Sequence, residues 1–175
     1  MHEISHNLNL KHSSDSLDVY GDQSCLMGYS YSDDDDPAMC FNGHKSWELG
    51  WYNKGHVLID GRSKSFFRGK LIGVNNYKPG KLRKKKIIIK IYVVGDDYYV
   101  MFNLATGINS GVIEGRNKVM ITSTDNTQSA PSYAKAELSS GQRYYVPGTK
   151  YFVKVLKIKL NTKPPFAKVI VKKTK

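Results

Sequence analysis

The chain has 175 residues, of which 40% are hydrophobic and 11% aromatic; this composition is typical of a core-forming globular protein and argues against wholesale disorder. Its longest strongly apolar run lies near Ile87–Ile89, far short of the roughly 20 residues that a membrane-spanning helix needs, so no membrane span is expected. The net charge of +12 is divided unevenly: residues 1–60 include 3 basic and 10 acidic residues, and residues 61–175 include 24 basic and 5 acidic residues. This change predicts two units with different surfaces.

The first predicted element is the end of a helix, and it carries a metal-binding pattern. His2 and His6 are four residues apart, so one helical face aims both imidazoles at one point. Glu3 follows the first histidine directly and is placed to act on water beside the metal. His12 can complete the ligand set if the chain turns sharply, and Asn9 tolerates the left-handed backbone that such a turn needs. Three ligands, an open position and a base are what a zinc hydrolase requires.

A loop-like stretch over residues 13–40 follows, and it contains further candidates for the same site. Met27 lies in a predicted tight turn 15 residues after His12, where metzincin peptidases place a methionine beneath the metal. Alone, Met27 would be interpreted as a core residue. Tyr29 stands two residues later and is a candidate catalytic residue or, equally, a packing tyrosine. Asp33–Asp36 could bind Ca²⁺ through carboxylate oxygens, or form a solvated loop of like charges.

Two cysteines, Cys25 and Cys40, lie in the acidic part of the chain. A pair within one short segment forms a disulfide in an oxidising compartment and stays as two thiols in a reducing one. The spacing alone leaves both alternatives open.

The later elements predict a mostly β fold. Residues 44–50 fit a short helix that Gly50 is placed to end. From Gly55 onward, apolar runs alternate with turn signals, which predicts an antiparallel sandwich. The predicted strands are Val57–Ile59, Phe66–Val74, Ile87–Val94, Tyr98–Phe102, Val119–Thr122, Tyr151–Ile158 and Ala167–Val171. The expected class is α+β, mostly β, with units at residues 1–54 and 55–175.

Several stretches resemble the gametolysin (autolysin) family of metzincin zinc metallopeptidases. The resemblance covers residues 2–52 closely and the remainder loosely. It is carried by His2–His12, by Tyr20–Gly28, by Met39–Tyr52 (MCFNGHKSWELGWY) and, more weakly, by Tyr98–Asn109.

The resemblance implies the C-terminal part of a metzincin catalytic domain followed by a β-sandwich. It implies a secreted or cell-wall endopeptidase that cleaves proteins of the extracellular matrix or cell wall. It assigns His2, His6 and His12 to one catalytic Zn²⁺ ion, Glu3 to the base and Met27 to the methionine turn, and it favours a Cys25–Cys40 disulfide. Such enzymes have a sheet and a helix before the zinc helix, so the natural start is expected upstream of Met1 and this chain is expected to be a fragment.

The basic part of the chain leads to a different class of function. The run Lys81–Lys86 favours phosphate contacts, as in nucleic-acid binding. However, lysines alternate with apolar residues over 87–91 and 154–159, which is typical of half-buried strands with a charged outer face. No RNA-binding signature is found, so no specific nucleic acid is expected. The hypotheses are therefore a zinc endopeptidase acting on protein or peptide substrates, a non-catalytic remnant, and a basic β-sandwich with weak attraction to acidic glycans and other polyanions.

Overall fold

The computed structural model describes residues 1–15, 17–28, 38–62, 64–82, 84–125 and 130–174, and the fold is mostly β, as predicted. The helices are α1 (His2–His6) and α2 (Gly43–Glu48). The strands are β1 (Ser13–Ser14), β2 (His56–Ile59), β3 (Phe67–Leu71), β4 (Lys85–Lys86), β5 (Ile88–Tyr92), β6 (Asp97–Asn103), β7 (Lys118–Thr124), β8 (Ser132–Leu138), β9 (Arg143–Tyr145), β10 (Tyr151–Lys159) and β11 (Phe166–Lys173). In this part of the chain, neither helix is long and apolar enough to cross a membrane.

The strands form two mixed sheets. The first has the order β1-β8-β7-β6-β5-β2, and the second has the order β4-β3-β11-β10-β9. Most neighbouring strands are antiparallel, but β1 and β8, β2 and β5, and β3 and β4 pair in parallel. The prediction of a purely antiparallel arrangement is therefore wrong at the sheet edges. Between β2 and β5 the chain visits the other sheet, and a strand that returns after such a crossover can run parallel to the one it left.

One hydrophobic cluster lies between the two sheets. Side chains of the first sheet such as Val100 and Ile121 are fully buried in it, together with Val153 and Val169 of the second sheet. Successive residues of a strand point to opposite faces, so burial alternates along β11. The alternate residues of the second sheet consequently lie on its outer face.

The N-terminal residues pack against the first sheet. Strand β1 pairs with β8 at its edge, and α2 lies on the face that β5, β6 and β7 turn away from the central cluster. At Gly43 a Cβ atom would lie 3.2 Å from the Cβ of Tyr99, so glycine allows this close approach. Gly50 adopts a left-handed backbone (φ +68°) and donates to the carbonyl of Trp47, which ends the helix as predicted. These contacts join residues on the two sides of residue 54, the predicted boundary between the units. The division into units stays a prediction.

Candidate metal site

The fold brings the imidazoles of His2, His6 and His12 together. Their ring centroids are 5.1 Å (His2–His6), 5.5 Å (His2–His12) and 4.9 Å (His6–His12) apart, and one nitrogen of each ring lies within 4.8 Å of the others. The Nε2 atoms of His6 and His12 are 3.2 Å apart. Zinc–nitrogen bonds of 2.0–2.1 Å in a tetrahedral site place two ligand nitrogens about 3.3 Å apart. The cluster therefore has the dimensions of a metal site.

The local backbone explains how His12 reaches the helix. His2 and His6 lie one turn apart on α1, and the chain leaves the helix through a turn over residues 7–9. Asn9 has φ 64°, the left-handed conformation that the sequence predicted there, and its N–H donates to the carbonyl of His6 at 2.9 Å. This reversal directs the following residues back past the helix. Without a residue that tolerates this conformation, His12 could not face the other two histidines.

Backbone carbonyls fix the orientation of two of the rings. His2 Nδ1 lies 2.9 Å from the carbonyl oxygen of Leu26, and His6 Nδ1 lies 2.8 Å from that of Leu10. A carbonyl oxygen can only accept, so each Nδ1 donates a proton in these contacts. The lone pair of each ring is then on Nε2, available for a metal. Contacts of this kind orient histidine ligands in metalloproteins.

The carbonyl that orients His2 belongs to the predicted methionine turn. The turn is closed by the N–H of Gly28 donating to the carbonyl of Cys25 at 2.9 Å. A Cβ atom at Gly28 would lie 2.0 Å from the carbonyl oxygen of Asp22, so only glycine fits there. Met27 is fully buried in a hydrophobic cluster that also contains Leu10. The turn thus joins the histidine cluster to a small core of its own.

The electrostatics of the cluster favour a neutral ring at His12. Burial lowers the pKa of His12, and the neighbouring His6 and His2 lower it further, while the charge of Glu3 opposes them. A lowered pKa keeps the ring deprotonated near neutrality, as metal binding requires. Glu3 itself is exposed, directly after the buried His2. Because its charge raises the pKa of His12, the Glu3 carboxylate lies within electrostatic reach of that ring.

Two concavities adjoin the cluster. An open groove of about 600 Å³ is lined by His6, Asn9, Leu10, Lys11, His12, Val19, Ala130 and Pro131. A smaller, mainly apolar pocket of about 260 Å³ lies beyond the methionine turn and is lined by Met1, Leu26, Ala38, Met39, Cys40, Phe41, Trp51, Tyr52 and Ile108. The ring of Tyr20 lies 4.2 Å from that of His12 and 5.9 Å from that of His2. Tyr20 was not predicted as a site residue; it was named only within Tyr20–Gly28, one of the stretches that carry the family resemblance.

The two cysteines are free thiols in the structure, so the disulfide that the resemblance favoured is not formed there. The Cys25 sulfur accepts hydrogen bonds from the backbone N–H groups of Met27 and Asn42, at 3.4 and 3.3 Å, inside the cluster beneath the site. Cys40 packs against a different hydrophobic cluster. Burial raises the pKa of Cys25 to about 12 and that of Cys40 to about 11, so both stay protonated at neutral pH.

Other predicted candidates fall outside the residues that the structure describes. These are the candidate catalytic Tyr29 and the candidate Ca²⁺ cluster Asp33–Asp36.

A buried polar network, which the sequence did not reveal, fixes the methionine turn to the first sheet. The Asn42 side-chain amide donates to Ser13 Oγ at 2.8 Å, to Ser132 Oγ at 2.9 Å and to Asp22 Oδ2 at 3.1 Å. Ser13 Oγ also donates to Asp22 at 2.6 Å, and Ser24 donates to the other carboxylate oxygen. All five residues are buried. Their partners are up to 119 residues apart in the chain, so no local pattern could indicate them.

Lys45 is a further buried polar residue near the site, in addition to the network around Asn42. Its ammonium donates to the carbonyl of Ala130 at 2.8 Å, and burial lowers its pKa to about 8. Ala130 also lines the groove beside His12. Lys45 thus fixes the segment that forms the far side of that groove.

No protein-family model, curated protein or solved structure matches this chain. The chemistry of the site is therefore inferred from its own side chains and from the groove beside them. These are three histidines with converging nitrogens, an exposed carboxylate beside them and an open groove in front.

Proposed function

We propose that the protein is a zinc-dependent metalloendopeptidase of gametolysin type, in which His2, His6 and His12 hold one zinc ion. The main supporting observation is the convergence of the three rings, with Nε2 atoms of two of them 3.2 Å apart and two Nδ1 atoms donating to carbonyls. The resemblance to that family that was inferred from the sequence of residues 2–52 agrees with this proposal. In this proposal residues 1–54 are the C-terminal part of a metzincin catalytic domain, and residues 55–175 are a β-sandwich.

The donor set suits zinc. Three neutral imidazoles leave a fourth tetrahedral position for water or substrate, which is the composition of a catalytic zinc site and not of a closed structural one. The hydrogen bonds from Nδ1 to Leu26 and Leu10 are the outer contacts that such ligands normally have. Imidazole ligands also suit copper and nickel, so the metal has to be identified by measurement.

The chain's own residues have separate roles in the proposed reaction. A zinc ion in this position supplies Lewis acidity toward a carbonyl oxygen and toward water. Glu3, exposed beside the cluster, accepts the proton of the attacking water and returns it to the leaving amine. The open groove along His6 and His12 receives an extended peptide, and the apolar pocket beside Leu26 accepts one of its side chains. The proposed substrates are proteins of the extracellular matrix or cell wall, acted on outside the cell.

Zinc content and peptide cleavage, measured on the same samples, test the proposal. We expect one zinc ion per chain by mass spectrometry, and hydrolysis of a quenched fluorescent peptide library. His6→Ala should lose both. His56→Gln is the control, because His56 lies outside the cluster and contacts the carbonyl of Trp51; it should retain both.

Glu3→Gln separates binding from chemistry. It should keep stoichiometric zinc and lose catalysis by about 10²- to 10⁴-fold, the usual contribution of a general base. If the unaltered chain holds no stoichiometric zinc, the proposal fails. Zinc binding with no cleavage of any peptide would favour instead a non-catalytic protein that retains the site.

A further inference from the structure

The outer face of the second sheet is covered by basic side chains. We call this surface the lysine face; its members are exposed or half-buried. They are Arg68, Lys70, Lys85, Arg143, Lys154, Lys157, Lys168 and Lys172. Those on β3, β10 and β11 alternate along their strands with residues of the central cluster, such as Leu71, Val153 and Val169. None of the five strands contains an Asp or Glu residue.

The strand register places these cations opposite one another. Lys168 pairs with Lys70 on one side and with Lys157 on the other, and Lys154 pairs with Arg143. The Cβ atoms of residues directly opposite on neighbouring strands lie about 4.5–5.5 Å apart, and like charges on such a pair destabilise a sheet. In the described part of the chain, no salt bridge joins this face to a carboxylate.

Two lysines of the first sheet, by contrast, are paired with carboxylates. Lys90 forms an ion pair with Asp97, and Lys118 donates to Glu137 at 2.6 Å. A merely solvated face would permit acidic residues in the same way. On the second sheet, no carboxylate of the described residues offsets the repulsion between the cations.

A pocket continues the lysine face at one corner. It has a volume of about 360 Å³ and is lined by Ile72, Asn76, Lys78, Lys81, Lys85, Lys163, Pro164 and Pro165. Lys85 belongs both to the pocket and to the face. Four ammonium groups around one concavity focus a positive potential on it and favour an anionic group there.

Two of the aromatic rings on this face are covered by cations; a third, that of Tyr145, is 57% exposed and lies 5.6 Å from Arg143. Arg143 lies 4.5 Å from the ring centroid of Phe152, which is only 4% exposed, and Lys70 lies 4.2 Å from that of Phe166. Proteins that bind single-stranded nucleic acid need rings free to stack on bases. The sheet is also too wide for a DNA groove: five strands span about 19 Å, and the major groove is about 12 Å wide. Both features disfavour nucleic acid.

We propose that the lysine face and its corner pocket bind an acidic polysaccharide, one that carries sulfate or carboxylate groups. A linear chain of this kind can lie across a flat sheet and contact successive rows of cations. Recognition is by charge, because cations on neighbouring strands can contact successive anionic groups of one chain. The proposal goes beyond the peptidase activity and does not depend on the zinc site.

The test is binding of the full chain to sulfated dextran over a range of salt concentrations, with neutral dextran as reference. Lys70→Gln, Lys157→Gln and Lys168→Gln together remove one row of the face. Each lysine near an anionic surface contributes about a factor of five to affinity, so this triple variant should bind on the order of 100-fold more weakly and with a smaller salt dependence.

The matched control removes the same charge elsewhere. Lys54, Lys64 and Lys135 are exposed and lie outside the face, so changing all three to Gln should leave the affinity within about threefold. An equal loss in both triple variants would overturn the proposal, since net charge alone would then explain binding. Thermal unfolding of the face variant should show no loss of stability, because the change relieves like-charge contacts.

Three further probes test the choice of ligand. These are single-stranded DNA, duplex DNA and vesicles rich in anionic phospholipid, each compared with sulfated dextran at the same salt concentration. Sulfated dextran should bind most tightly. If any of the three binds more tightly and depends on the same row of lysines, the polysaccharide proposal is wrong.

Discussion

We call the three histidines and the buried polar residues near them, which include Asp22, Asn42 and Lys45, the histidine region. This region and the lysine face differ in the partners that their polar and charged groups have. In the histidine region, Asp22, Asn42 and Lys45 are withdrawn from water, and each is held by hydrogen bonds to specific partners. On the lysine face, the cations remain near water and have one another as cross-strand neighbours. The hydrogen bonds of the histidine region fix the positions of individual side chains, whereas the like charges of the lysine face create a positive electrostatic potential over a wide area.

This difference indicates which changes each region tolerates. A buried hydrogen-bonded network loses stability when any member is removed, because the remaining partners are left unsatisfied. A surface of like charges loses no partner when one charge is removed. We therefore expect substitutions in the histidine region to affect folding and the metal site together, and substitutions on the lysine face to affect ligand binding alone.

The largest effect is expected for Gly28→Ala. The new Cβ atom would lie 2.0 Å from the carbonyl oxygen of Asp22 and 2.7 Å from that of Ser13, both of them backbone atoms. Relief requires movement of the methionine turn, whose Leu26 carbonyl orients His2. We expect the free energy of unfolding to fall by about 3 kcal/mol or more, measured in urea, with weaker zinc binding.

Gly50→Ala is the matched control. Gly50 has φ +68°, but a Cβ atom there would meet no atom within 4 Å. Only the left-handed backbone is penalised, at about 1–2 kcal/mol, and zinc binding should be unchanged. If both variants lost the same stability and kept the same zinc affinity, the turn would not couple folding to the site.

Part of the site and much of the strand pattern could be predicted from the sequence, because these features depend on residues that are close together in the chain. The histidine spacing, the left-handed Asn9 and the helix-ending Gly50 each depend on a few neighbouring residues. All seven predicted strands overlap observed ones, because their alternation matches the two faces of a sheet. Strand β8 was missed because its sequence, SYAKAEL, has few large apolar residues.

The remaining features depend on contacts between distant segments. Pairing of Ser13 with Ser132, and with it the parallel edge of the first sheet, joins residues that no periodicity relates. The disulfide expectation did not hold because the direction of each thiol is decided by packing, which places Cys25 and Cys40 against different clusters. Of the lysine face, the sequence indicated only residues 154–159 as a strand with a charged outer side, and the row of Lys70, Lys168 and Lys157 needs the register of three strands.

Lowering the pH is expected to destabilise the fold through His44 on α2. Burial is the main cause that lowers the pKa of His44 to about 3, and the charges of Lys45 and Lys90 add to it. The unfolded chain takes up a proton near pH 6.5. The folded chain stays neutral until much lower pH, so protonation favours unfolding. The free energy of unfolding should therefore fall as the pH drops from 6.5 toward 4, by up to about 1.4 kcal/mol per pH unit from this group.

His44→Phe tests this assignment. Phenylalanine keeps a ring against Tyr99 and removes both the titrating group and a buried Nδ1 atom that has no hydrogen-bond partner. Urea unfolding at pH 7, 6, 5 and 4 should give a shallower decline than in the unaltered chain. His56→Phe should change the slope less, because His56 is only half-buried. Equal slopes for His44→Phe and the unaltered chain would contradict the assignment.

The smallest effect is expected from single lysines, and its sign distinguishes the two kinds of surface. Lys168→Gln removes repulsion from Lys70 and Lys157, so it should raise the free energy of unfolding by about 0.2–0.5 kcal/mol. Lys118→Gln removes an attraction to Glu137 and should lower it by about 0.2–1 kcal/mol. At 1 M salt the Debye length shrinks to about 3 Å, so both differences should diminish. Stability that falls for both variants would mean that Lys168 stabilises the sheet, and its neighbours would then not act as an unopposed row of charge.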